Sequence, residues 1–244
     1  MNMKFFRNAV IFVGAWIIAM LIYTLIYQVE QTSYILSYTI IPALFLGVVA
    51  MFSTAAAKHT STSARVNLWA LLILLSFDQA IKIYLFQADW QTIQIPLIEP
   101  VFYFSPSHNQ AGSYFFHLLG FKKDIIWLNI LLVSSILLLV ISYWHFYREK
   151  RPVNFWSSGA IHLILTGIIA NLTDSIFHGG SLDFITINPF YVFDLKDAYL
   201  TIAMLFIITE AVEQKGRESG PMKEFGFKYI VHDIKSWFKW NKGE

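Results

Sequence analysis

Six apolar runs, each about 20 residues long, constrain this chain more than any other feature. A bilayer core about 30 Å thick is crossed by an α-helix of that length, and lipid forces every backbone polar group to be satisfied inside the helix. The runs extend from Val10 to Tyr27, Tyr34 to Ser53, Val66 to Phe86, Ile125 to Phe146, Phe155 to Asp174 and Tyr191 to Val212. Hydrophobic residues make up 56% of the chain and charged residues 14%, against about a quarter charged in soluble domains. The predicted fold class is an all-α polytopic membrane protein. Lys4 and Arg7 precede the first run as they would in a signal peptide, but that run is too long and lacks a small-residue cleavage site, so it reads as a retained span.

Basic residues orient the spans. With both termini cytoplasmic, the inner segments hold fourteen of the eighteen Lys and Arg, from Lys4 and Arg7 through Arg148 and Arg151 to Lys242, while the outer loops hold Lys122 and Lys123. The other two, Lys82 and Lys196, then fall near the outer ends of their helices, beside Asp78, Asp174, Asp183 and Asp197. The ionisable chemistry is expected at the outer face. The net charge of +2 follows from topology, no nucleic-acid platform is present, and the chain has no cysteine, which excludes disulfides and thiolate chemistry.

Three parts are expected. Residues 1–60 form a transmembrane hairpin with Pro42 as its kink and no buried ionisable group; 61–213 form a four-helix transmembrane core; 214–244 form a cytoplasmic amphipathic tail, with Phe227, Ile230, Val231, Ile234 and Phe238 at helical spacing. The segment from Gln87 to Lys123 is too long for a turn. Its "TIQIPL" and "VFYFS" predict two short strands, a small outer β-rich loop.

Polar residues cluster in four places. In "FDQAIKIYLF", Asp78 and Lys82 are four apart and share a helix face, which suits a salt bridge as well as catalysis. In "SPSHNQAGSYFF", Asn109 precedes three small residues, a pattern ordinary turns also show. "GIIANLTDSIFHGGSLDFI" sets Asn171 and Asp174 on one face, then uses two glycines to turn toward Asp183. "FDLKDAYL" puts Asp194 and Asp197 on one face at the start of the last span. Two carboxylates brought together in low dielectric cannot both ionise easily, so the pair can activate water with one member and protonate a leaving amine with the other. A proton or cation pathway would use the same residues, and the residues alone leave the two readings open.

In order and spacing, "DQAIK", "NQAGSYF", "ANLTD", "GGSLDF" and "FDLKDA" resemble the five blocks of the signal peptidase II family, the bacterial prolipoprotein signal peptidases, over residues 68–212. The resemblance implies an inner-membrane aspartic endopeptidase needing no metal or other cofactor, with catalytic Asp183 and Asp197 and supporting Asp78, Lys82, Asn109, Asn171, Asp174 and Asp194. It implies a prolipoprotein substrate cut just before a diacylglyceryl-modified cysteine, contact with membrane lipid, and a monomer. Four positions depart from the family pattern: Ala170 stands where the family has Gly, Ser175 where it has Arg, Asp194 where it has Asn, and Lys196 where it has Ala; the last three are polar changes. Lys196 is expected either to lower the pKa of the pair or to reach toward lipid headgroups and leave the pair alone. A catalytically inactive relative that binds lipidated or signal-peptide-like chains, and a proton-coupled transporter, are the rival expectations.

Overall fold

The computed structural model describes residues 3–27, 32–60, 65–99, 101–109, 126–187, 191–214 and 229–230. In chain order its elements are α1 (Met3–Tyr27), α2 (Thr32–His59), α3 (Leu68–Gln87), β1 (Ile95–Ile98), β2 (Phe102–Asn109), α4 (Ile126–Lys150), α5 (Phe155–Thr173), a π-helical turn (Asp174–His178), β3 (Ser181–Ile187), β4 (Tyr191–Phe193) and α6 (Leu195–Glu213). Among the described residues, five helices are long and apolar enough to cross a membrane: α1 to α4, and α5 with its π-helical turn. The sixth expected span, α6, has 19 residues but carries Lys196, Asp197, Glu210 and Glu213, of which Lys196 and Glu210 are buried. The expected start of that span at Tyr191 is corrected, since Tyr191–Phe193 pair in the sheet and Asp194 is the N-cap of a helix that begins at Leu195.

Helix α5 is central. It packs on α3 and α4 through Ile161 and Leu165, which share a cluster with Leu71, Trp144 and Tyr147. Against α6 it uses glycines, as close helix pairs in membranes do. A Cβ on Gly159 would lie 2.6 Å from the Phe206 ring, and one on Gly167 would lie 2.8 Å from Leu200. The ring cannot easily retreat, because Phe12, Phe155 and Trp156 surround it at centroid distances of 6.2, 5.8 and 5.1 Å. Gly159→Ala is therefore expected to cost about 1–3 kcal/mol by overpacking. Thermal unfolding in detergent checks this against Gly14→Ala, where an added Cβ meets nothing within 4 Å.

The N-terminal hairpin is built into the molecule. Phe12, Leu46 and Ala50 share a cluster with Trp156, Ala160, Leu205 and Phe206 of α5 and α6. Polar contacts tie it down as well: Arg7 pairs with Glu213 at 2.5 Å, and the buried Asn8 donates to Thr54 Oγ1 at 3.0 Å. At the other end of the hairpin, Met20 and Tyr38 pack on Val101 and Ile187, so it also reaches the sheet.

Among the described residues, the sheet has four antiparallel strands in the order β1-β2-β3-β4. β1 and β2 fall where the two strands were expected, and β3 and β4 extend them. Leu182 and Phe184 point into a cluster with Leu85, so period-2 alternation turns Ser181 and Asp183 to the opposite face. Of the expected tail helix, Tyr229 and Ile230 are helical and Tyr229 donates to Glu149 at 3.1 Å. The rest of that expectation lies outside the described residues, as do the small residues at 111–113.

Candidate active site

Three local devices bring the polar residues to one end of the α3, α5 and α6 bundle. The first is the i, i+4 spacing of Asp78 and Lys82 on α3, where Lys82 Nζ reaches Asp78 Oδ2 at 2.7 Å. The second is the π-helical turn after α5, a widening common at functional sites, which carries Asp174. It ends on Gly179 at φ 64°, a left-handed conformation that glycine adopts at no steric cost, and Gly180 follows at φ 149°. The third is a capping box. The Asp194 side chain accepts from the Asp197 N–H at 3.2 Å, and the Asp194 N–H donates to Asp197 Oδ2 at 3.5 Å.

Lys82 is the hub. Its ammonium is fully buried and lies 2.7, 2.6 and 2.6 Å from oxygens of Asp78, Asp174 and Asp194, which come from three different parts of the chain. Gln79 completes this side, donating to Asp78 Oδ2 at 3.0 Å and Asp174 Oδ1 at 2.9 Å. In low dielectric, three such carboxylates are tolerable only because a cation stands among them.

Lys196 is a second buried cation. The expectation that it could reach toward headgroups and leave the pair alone is overturned, since its side chain is 5% exposed and turned inward. Its Nζ donates to Asp194 Oδ2, to Ser181 Oγ at 2.5 Å and to Asp183 Oδ1 at 3.4 Å, and lies 3.5 Å from Asp174 Oδ2. The contact with Ser181 has the length of a nucleophile–base pair. An amine among three carboxylates remains an ammonium, however, so Lys196 acts here as a donor.

Asp183 is buried on β3. It accepts from Ser181 Oγ at 2.8 Å and from Asn109 Nδ2, on the neighbouring strand β2, at 3.4 Å. Burial pushes its carboxyl above the usual carboxylate range, Lys196 pulls it back, Asp194 raises it again, and the bonds from Ser181 and Asn109 lower it. Oxygens of Asp183, Asp194 and Asp197 lie within 4.8 Å of one another, and Asp197 is half-buried.

Of the eight expected site residues, seven meet in this network: Asp78, Lys82, Asn109, Asp174, Asp183, Asp194 and Asp197. Asn171 stands apart. Its Oδ1 accepts from Asn129 Nδ2 at 3.1 Å, and the same amide donates to Ser175 Oγ at 2.9 Å. Ser181, Gln79 and Asn129 escaped the sequence reading. Ser181 was legible, because two residues before Asp183 on a strand means the same face; Asn129 sits in an apolar run with nothing to mark it.

Among the described residues, two carboxylate trios have a spacing a metal ion could use: Asp78, Asp174 and Asp194, and Asp183, Asp194 and Asp197. Lys82 stands inside the first and Lys196 borders the second. An ion in the first trio would have to displace the Lys82 ammonium.

Residues 70–213 match the family model described as Signal peptidase (SPase) II. The chain belongs to this family. The proteins it resembles include the lipoprotein signal peptidases of Staphylococcus epidermidis, 28% identical over 61% of this chain and 89% of that protein, and of Pseudomonas putida, 26% identical over 62% and 89%. That of Clostridioides difficile is 24% identical over 56% of this chain and 88% of its own length. A solved bacterial membrane enzyme, 18% identical, covers 62% of this chain and 93% of its own with a TM-score of 0.50, and shares the fold. This signal peptidase II family member is thus a multi-pass bacterial membrane protein whose α1–α2 hairpin lies outside the family match.

Proposed function

We propose that the chain is an aspartic endopeptidase that removes the signal peptide from diacylglyceryl-modified prolipoproteins, cutting just before the lipidated cysteine. The observation that carries the reading is the approach of the Asp183 and Asp197 carboxylates, with Asp194 beside them and Lys196 reaching Asp183, in a member of this family. A pair so placed shares a proton.

In the proposed reaction the carboxylate of the pair takes a proton from water. As the water oxygen adds to the scissile carbonyl carbon, the protonated member gives its proton to the carbonyl oxygen, leaving a tetrahedral diol. The member that took the proton from water then gives it to the cysteine nitrogen, the C–N bond breaks, and a diol hydroxyl returns its proton to the pair; the products are a signal-peptide carboxylate and a new N-terminal cysteine, with one water consumed. A pair that shares one proton at rest can return to it after each turnover. The acyl chains of a lipidated substrate can stay in the bilayer while the peptide reaches the acids.

The division into a hairpin at 1–60, a core at 61–213 and a tail at 214–244 belongs to this proposal. So does the orientation, with cytoplasmic termini and the acids at the outer face, supported by the fourteen inner basic residues. The test is turnover by the purified protein on one prolipoprotein prepared with and without the diacylglyceryl group. Cleavage of the lipidated form alone is expected. Binding without cleavage would favour a lipid-peptide binding protein on this scaffold, and proton flux in proteoliposomes would favour a transporter.

A further inference from the structure

We infer that Lys196 is a positioning residue that makes the carboxylate pair unequal, holding Asp183 as the anionic base and leaving Asp197 as the proton-bearing acid. The inference rests on the proposed reaction and assigns a role to each member of its pair.

Asp183 faces three side-chain donors. They are Lys196 Nζ at 3.4 Å, Asn109 Nδ2 at 3.4 Å and Ser181 Oγ at 2.8 Å. The serine has one proton and three carboxylate neighbours, of which Asp183 is the nearest; Asp194 and Asp174 lie at 3.0 and 3.1 Å. Because Ser181 accepts from Lys196, the lysine both touches Asp183 and orients the hydroxyl that donates to it. Asp197 is instead tied by its capping box to the N–H of Asp194 at 3.5 Å, a long bond that leaves its carboxyl more open. Donors directed at one carboxylate stabilise its charged form and leave the proton to the other.

The surrounding charge makes this lysine decisive. Asp78 and Lys82 face the pair from α3, Asp174 from the π-helical turn, and Asp194 and Asp197 from the start of α6. Tyr191 on β4 lies within electrostatic reach of Asp183 and Asp197. Five carboxylates thus share two ammonium groups, and Lys82 is already held by three of them. Without Lys196 the five would share one cation, and the cluster would take up a further proton at the expense of the base. Asp194 is the partner Lys196 most directly neutralises, so removing both together restores the balance.

The test compares kcat/KM against pH for wild type, Lys196→Met, Lys196→Arg and the double variant Lys196→Met with Asp194→Asn. Asn keeps the N-cap. Loss of the lysine is expected to move the acidic limb upward by about one pH unit or more, so that the rate is about tenfold lower on the acidic side of the limb and recovers as pH rises. Lys196→Arg keeps the wild-type limb, and the double variant moves back toward it. A second readout needs no substrate: the infrared carboxyl C=O band of protonated aspartates is expected to grow in Lys196→Met at neutral pH and to return in the double variant. A fall in rate without a shift of the limb, or an unchanged infrared band, overturns the inference. A wild type that never cleaves overturns the proposed reaction instead, and the infrared comparison still judges the charge state that Lys196 sets.

Discussion

Asp183→Asn and Asp197→Asn, made singly, are each expected to lower cleavage by ~10²–10⁴-fold or more, the range a positioned acid or base contributes. Asparagine keeps the size and the oxygen acceptor of the side chain but can neither take a proton from water nor deliver one. The loss should be in kcat, with KM little changed, because neither variant removes bulk from the substrate's path. Stability should move the other way for Asp183. Burial raises its pKa in the fold, so the stability it contributes is full below the unfolded-state pKa and is lost as pH rises through the higher folded value. At neutral pH, Asp183→Asn is therefore expected to unfold at or above the wild-type temperature, and the difference should shrink on acidification. Thermal unfolding beside the kinetics separates a chemical role from a folding one.

Lys82→Met is expected to be the most damaging single change to the fold. It strands Asp78 and leaves Asp174 and Asp194 with Lys196 alone; the three carboxylates lie 2.6 to 2.7 Å from the Lys82 ammonium and their side chains are 2% exposed or less. Breaking a buried ion pair by removing one partner costs ~3–5 kcal/mol, and here three partners lose a cation at once. Size-exclusion profiles in mild detergent should show little folded protein. Adding Asp78→Asn, which removes one stranded charge, should recover part of it. An Lys82→Met protein that unfolds like wild type would show that the three carboxylates do not depend on this cation.

Much of this arrangement was legible in the sequence because helical spacing is a strong local signal. The i, i+4 spacing of Asp78 and Lys82 foretold their pair, and the i, i+3 spacing of Asp194 and Asp197 foretold a shared face that the structure makes into a capping box. The glycine pair at 179 and 180 marked the reversal that aims Asp183. Non-local choices were harder. Whether Lys196 turned to lipid or to the carboxylates depended on Asp183 of β3 and Asp174 of the π-helical turn, which no local pattern links to it. β3 and β4 read as the threshold of a span, because short apolar strands and helix ends share a composition and strand pairing with β2 decides between them. The docking of the α1–α2 hairpin rests on Phe12 meeting Phe206, a contact between opposite ends of the chain.

The central claim is that this protein cuts a lipidated prolipoprotein with Asp183 and Asp197. Its most direct test is the mass of the products released from a diacylglyceryl-modified prolipoprotein by the purified protein in detergent, wild type beside the two Asn variants. The expected result is a free signal peptide and a lipoprotein beginning at the diacylglyceryl cysteine, formed by wild type and not by either variant. Intact substrate after incubation with a folded wild type, or the same products from both variants, would contradict it.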